Sequence, residues 1–172
     1  IPTAEEFDAF DPDALGLDLG YNPGEKLQFC STNDQALSNQ YVKEYKIPTE
    51  CTQPLAITVD HDGKVWFAET STGDVAKFDP LTETFTEYNN TEWEDIEKIF
   101  IMTALENNVE PTKLRSMMWG IDYFPDGSVW FTDETTDAIW KFTIDEETYD
   151  RIAYSQSDEN KSSLPQKLVI DG

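Results

Sequence analysis

Two carboxylates, Glu69 and Asp133, close two copies of one short phrase: Val65-Trp66-Phe67-Ala68-Glu69 and Val129-Trp130-Phe131-Thr132-Asp133. Repeated acids at such a place do one of two things. They coordinate a hard divalent cation, Mg²⁺ or Ca²⁺, through their oxygens, or they accept hydrogen bonds from the backbone N–H groups of the turn that follows. Glu69, Asp133 and Glu134 are the metal candidates. Recurrence in both copies favours the turn, because a metal site is normally made once and a structural device in every copy. His61 is the single histidine. No Ser or Cys nucleophile lies beside it, and a general base must reach the proton it removes, so His61 reads as a solvated turn residue. Asp60, Asp62, Asp122 and Asp126 read as turn stabilisers, with loose Ca²⁺ binding by Asp60-His61-Asp62-Gly63 as the alternative. No catalytic residue is assigned.

The elements that position these groups come from an internal repeat. Pro54 to Tyr88 returns as Trp119 to Ile152 at a constant offset of 64 positions, which relates Ile57 to Ile121, Gly63 to Gly127 and Lys77-Phe78 to Lys141-Phe142. Each copy carries four short strand signals. Ala56 to Val59 runs into a tight Asp-Gly turn. Lys64 to Ala68 holds three adjacent large apolar residues, as suits a strand covered on both faces. Val75 to Phe78 stops at Asp79-Pro80, and Thr84 to Tyr88 alternates. A four-stranded meander with two apolar faces is not stable alone. Radial packing against copies of itself predicts an all-β fold, a β-propeller of four-stranded antiparallel blades, with a solenoid or sandwich as the alternative. Trp66 and Trp130 are expected in the core between blades. Trp119 and Trp140 are less regular; for Trp119, which enters the inner strand near the insertion, a pocket lining is the alternative and the core is preferred.

The pattern P-x-x-I-x-V-D-x-D-G-x-V-W-F-x-E, then K-F-D-P and F-x-E-Y, resembles the blade repeat of the virginiamycin B lyase-like (streptogramin lyase-like) propellers, over about residues 41–172. The resemblance implies the propeller fold. For the named lyase it implies Mg²⁺-dependent β-elimination with a histidine base and metal-binding glutamates from late blades. Glu69 matches the W-F-x-E glutamate, Asp133 replaces it in the second blade, and nothing here matches the catalytic histidine.

Along the chain, residues 1–40 lack periodicity and read as an extended arm, and 41–172 as a partial propeller. Tyr41 to Pro48 is expected to form an outer strand before the first blade. The blades span about 54–88 and 119–152. Between them, an insertion at 89–116 opens with a capping-box signature, Thr91-Glu92-Trp93-Glu94, and continues as a helix or, through Ile99 to Met102, a strand. In the helical reading Trp93, Ile96, Ile99, Phe100 and Leu105 share a face. The insertion is a lid or partner-docking element, with Trp93, Ile96 and Phe100 as contacts, or a decorative loop. Leu164 to Gly172 resembles the start of a third blade. Two blades and one strand do not close a ring, so the missing blades are expected from a longer polypeptide or from other protein chains.

The net charge of −23 excludes nucleic-acid binding, which needs the opposite sign. No apolar run is long enough to span a membrane. The first residue, Ile1, would follow from removal of a signal peptide; a sequence beginning inside a longer protein would look the same. Cys30 and Cys51 are expected to form a disulfide if the chain is exported, and to be buried thiols otherwise. Asn89 and Asn160 stand in glycosylation triplets. Together these point to an extracellular or cell-surface binding or assembly module; a Mg²⁺-dependent lyase with its catalytic residues elsewhere is the alternative.

Overall fold

A computed structural model describes residues 38–110, 115–153 and 164–170. The chain divides into two compact units. One takes Thr52–Glu92 with Arg115–Gly172, the other Ile1–Cys51 with Trp93–Leu114.

The first unit holds both repeats. β1 (Pro54–Val59), β2 (Val65–Glu69), β3 (Asp74–Asp79) and β4 (Thr84–Tyr88) form one antiparallel sheet in sequential order. β5 (Ile121–Phe124), β6 (Ser128–Asp133), β7 (Ala138–Thr143) and β8 (Thr148–Ala153) form the second in the same way. These are the two four-stranded meanders expected of propeller blades. The Asp-Gly turns form as their residues require: Gly63 and Gly127 take φ of 78° and 87°, where a side chain is strained. Asp60 stabilises its turn by accepting from the N–H groups of Asp62 and Lys64 and from Trp66 Nε1.

The repeat also governs turns whose residue types do not announce it. Gly73 (φ 84°) is matched 64 positions on by Asp137 (φ 49°), and Glu83 (φ 57°) by Glu147 (φ 52°). Each sheet therefore turns left-handed at three places ten residues apart. A left-handed non-glycine residue costs roughly 1–2 kcal/mol, partly offset in a glycine by its looser unfolded chain. Glu83→Gly and Glu147→Gly are each expected to stabilise by about 0.5 kcal/mol in urea unfolding. Asp137→Gly is expected to gain nothing, because Asp137 Oδ1 accepts from Leu164 N at 3.0 Å.

Alternation along each strand splits the side chains between two faces. Trp66, Ala68, Val75 and Tyr88 lie on the face of the first sheet that meets the second. Phe142 packs there with its ring 5.9 Å from Trp66 and 4.8 Å from Tyr88. Tyr149 closes the same interface: its hydroxyl donates to Tyr88 O at 2.6 Å and accepts from Val75 N at 3.0 Å. Phe131, Trp140 and Phe142 are fully buried. Trp119 departs from the core expectation. It is 41 % exposed, because its indole N–H reaches out to Glu134 Oε2 at 2.8 Å.

In the second unit the insertion forms a helix, α1 (Thr91–Glu106), and not a strand. It ends in a Schellman arrangement. Val109 N donates to Ala104 O and Asn108 N to Leu105 O, with Asn108 left-handed at φ 55°. The apolar face is not the one the sequence suggested. Trp93 and Ile101 are buried, whereas Ile99 and Phe100 are exposed and Ile96 is half-buried. The buried line takes the eight-residue step from Trp93, not the seven-residue step to Phe100, and those lines lie about 100° apart on a helix. Tyr41 to Pro48 does not form the expected strand. Residues 41–46 carry no ladder, and Tyr41 and Val42 are exposed, since none of the described strands pairs with them. Among the described residues no helix is long and apolar enough to cross a membrane.

Candidate functional site

The turns after β2 and β6 carry the candidate acids, and the two copies use them differently. Asp133 is fully buried. Its Oδ1 accepts from Met117 N and Thr135 N, both at 3.0 Å, and its Oδ2 from Thr136 Oγ1 at 2.8 Å. That is the turn-holding role, tying the turn after β6 to the segment that leads into β5. Asp133→Ala is expected to leave two backbone N–H groups without this acceptor and to cost about 2–4 kcal/mol, read as a lowered urea midpoint with unchanged slope.

Glu69 is also buried, at 1 % exposure, but it does not hold its turn in this way. The turn closes without it, through Thr72 N and Gly73 N donating to the backbone oxygen of Glu69. Its Oε1 has no hydrogen-bond partner among the described residues. Burial pushes its carboxyl pKa up to about 8, helped by the charge of Glu87, a hydrogen bond shared with Glu87, and the charge of Asp74; a hydrogen bond with Thr52 works the other way. Strand register explains the pairing. Phe67 faces Ala76, which faces Glu87, so Glu69 and Glu87 lie on one face with only a methyl group between their rows. Asp74 is held by Asn90, whose N–H reaches Asp74 Oδ1 at 2.7 Å and whose side-chain amide reaches Gly73 O. Burial at this site thus favours the neutral form of the Glu69 acid.

Glu134 stands at the same rim. Its Oε2 accepts from Trp119 Nε1 and from Gln166 Nε2 at 3.2 Å. Glu69, Asp133 and Glu134 therefore each answer to different neighbours. Among the described residues no three of His, Cys, Asp and Glu are grouped to hold a metal ion, and no step is derived through one.

At the other end of the sheets His61 is exposed, its Nδ1 2.6 Å from the Tyr123 hydroxyl, with Asp62 beside it. Tyr123 has its phenol pKa raised by burial and by the charges of Asp60, Asp62 and Asp126, which leaves it a poor proton donor. Asn89 is exposed and precedes the buried Asn90. Cys30 and Asn160 lie outside the described residues, as does the start of the arm. Of the residues that matter here, Glu87, Thr52 and Tyr149 escaped the sequence reading. The alternation of Thr84 to Tyr88, laid against Ala76, was the available signal for Glu87.

No family model matches the sequence, and no curated protein does. Solved structures do. Virginiamycin B lyase from Staphylococcus aureus superposes with a TM-score of 0.52 and 23 % identity, over 75 % of this chain and 36 % of that one. A streptogramin B lyase gives 0.52 and 25 %, over 73 % and 33 %. A catalytically inactive variant of the S. aureus enzyme with quinupristin gives 0.51 and 20 %, over 79 % and 36 %. This chain spans about a third of the length of those it matches. The likeness is one of fold: the two sheets are β-propeller blades resembling those of the virginiamycin B and streptogramin B lyases.

Proposed function

We propose that this chain is part of an acidic β-propeller that binds or assembles with another protein outside the cell or at its surface. The observation that carries the reading is the state of the rim acids. Asp133 holds a turn, Glu134 bridges an indole and an amide, and Glu69 is buried on the sheet face it shares with Glu87. That is the chemistry of a scaffold. The exposed Ile99 and Phe100 on α1 supply an apolar contact, and the net charge of −23 favours a basic partner and disfavours nucleic acid. A Cys30–Cys51 disulfide and glycans on Asn89 and Asn160 belong to the same proposal.

The test is the native molecular mass of the protein from its natural source, by light scattering, for the wild type and for Phe100→Glu. A complex lost in the variant supports the reading; a monomer in both overturns it. Mass spectrometry before and after reduction and deglycosylation checks the export chemistry.

The fold likeness favours one second reading, a Mg²⁺-dependent lyase whose histidine and glutamates lie in other blades. Ring opening of quinupristin by the natural polypeptide with Mg²⁺, followed by chromatography, would establish it in place of the first.

A further inference from the structure

Helix α1 carries two apolar stripes and buries one of them. Trp93 and Ile101 lie inside, whereas Ile99 and Phe100 are 47 % and 44 % exposed and Ile96 beside them is half-buried. Thr103 completes the outer stripe. Its hydroxyl donates to Ile99 O at 2.8 Å, so its polar atom is satisfied by the helix itself and its methyl group is the surface it has left to offer. Ile96, Ile99, Phe100 and Thr103 stand at i, i+3, i+4 and i+7. That is the spacing of the anchors with which an amphipathic helix meets a partner, and such ridges fit the grooves of a second helix.

The charges of α1 run one way. It holds five acids, Glu92, Glu94, Asp95, Glu97 and Glu106, against the single base Lys98, which pairs with Asp95 at 3.2 Å. Asp95 and Glu106 fall within about 40° of Ile99 around the helix axis, on the side away from Phe100, so they line one edge of the stripe. Glu106 is exposed in the last turn, where the negative pole of the helix disfavours an acid, and no basic residue stands in that turn to offset it. The exposed apolar pair and the misplaced acid both weigh against the helix alone. A basic neighbour laid over the stripe relieves both.

The same signs choose the occupant. A second copy would set these acids against their own kind, and an anionic lipid surface or a nucleic acid would be repelled in the same way. We infer, on the reading of the chain as a partner-binding module, that the outer stripe of α1 docks a basic amphipathic helix of another protein. Its apolar side chains lie over Ile96, Ile99, Phe100 and Thr103, and its Lys or Arg side chains lie beside Asp95 and Glu106.

The test titrates the 172-residue chain into a fluorescent, amidated peptide with leucine at i, i+3, i+4 and i+7 and lysine between, at physiological salt, and reads anisotropy. Saturable binding is expected, weakened at least about tenfold by Ile99→Asp even though that change adds negative charge. Glu106→Lys is expected to weaken it about threefold without lowering the melting temperature, since a lysine suits the end of a helix. Circular dichroism checks that both variants fold. No binding, equal binding of a scrambled lysine peptide or of a glutamate version, or an unchanged affinity in either variant overturns the inference. Failure of the lysine peptide, beside a native complex that Phe100→Glu abolishes, rejects the basic helix and leaves the module reading standing; the absence of any native complex removes both.

Discussion

Glu69→Gln is expected to make the protein more stable at pH 8 and to flatten its stability between pH 5 and pH 8. Unfolded, the carboxyl loses its proton near 4.5; folded, it keeps it to about 8. Between these values the native state holds one more proton than the unfolded state, so stability falls as pH rises, by up to ~1.4 kcal/mol per unit. The raised pKa thus favours the folded state below pH 4.5 and loses that effect as pH climbs to 8. Relaxation of the surrounding protein when the acid ionises lessens the total, leaving on the order of 3 kcal/mol at pH 8. Glutamine keeps the shape and a donor towards Glu87 without the ionisation. Urea unfolding at pH 5, 6.5 and 8 measures the slope for the wild type and the variant. Parallel slopes would show that Glu69 titrates normally. Glu87→Gln is expected to shrink the slope without abolishing it, because burial is the larger cause and Glu87 the second. Adding Ca²⁺ or Mg²⁺ separates the metal reading: stabilisation of the wild type at pH 8 that Glu69→Gln removes would make this acid a ligand.

Phe142→Ala is expected to cost about 3–5 kcal/mol, a large share of the stability of a domain this size. The ring is fully buried, with three aromatic neighbours, Trp66, Tyr88 and Tyr149. Its loss opens a cavity between the two sheets. Tyr149→Phe keeps that packing and removes only the hydroxyl between Val75 N and Tyr88 O, at a cost of about 1–3 kcal/mol. Its phenol is raised well above the ordinary range by burial, so no loss of this bond on ionisation is expected at moderately alkaline pH. Equilibrium unfolding by intrinsic fluorescence and by circular dichroism checks both variants. Equal small effects would mean that the sheets are stable one by one.

The propeller blades were legible because their signals are local. An Asp-Gly pair demands a left-handed turn, and Val-Trp-Phe fits a strand covered on both faces. The helix in the insertion was legible for the same reason, but its orientation was not. Seven-residue and eight-residue steps from Trp93 both meet apolar residues, and only packing chooses Ile101 over Phe100. Glu83, Asp137 and Glu147 carry no left-handed signal of their own; the turn imposes it. The candidate site divided similarly. Asp133 holds its turn as a repeated acid should. Glu69 does not, because its partner Glu87 lies two strands away, across an alanine. Trp119 was misjudged as core because a tryptophan's type does not reveal that an acid outside will hold its indole.

The hydroxyl that seals the first sheet comes from the last strand of the second, 74 residues after Val75 and 61 after Tyr88. During synthesis the first sheet therefore leaves the ribosome unsealed, with Trp66 and Tyr88 open until Phe142 and Tyr149 follow. At ~5–20 residues per second, that wait is roughly 4–15 s. The first sheet is thus expected to expose apolar surface during translation, and a codon-dependent pause between the two repeats would prolong that exposure.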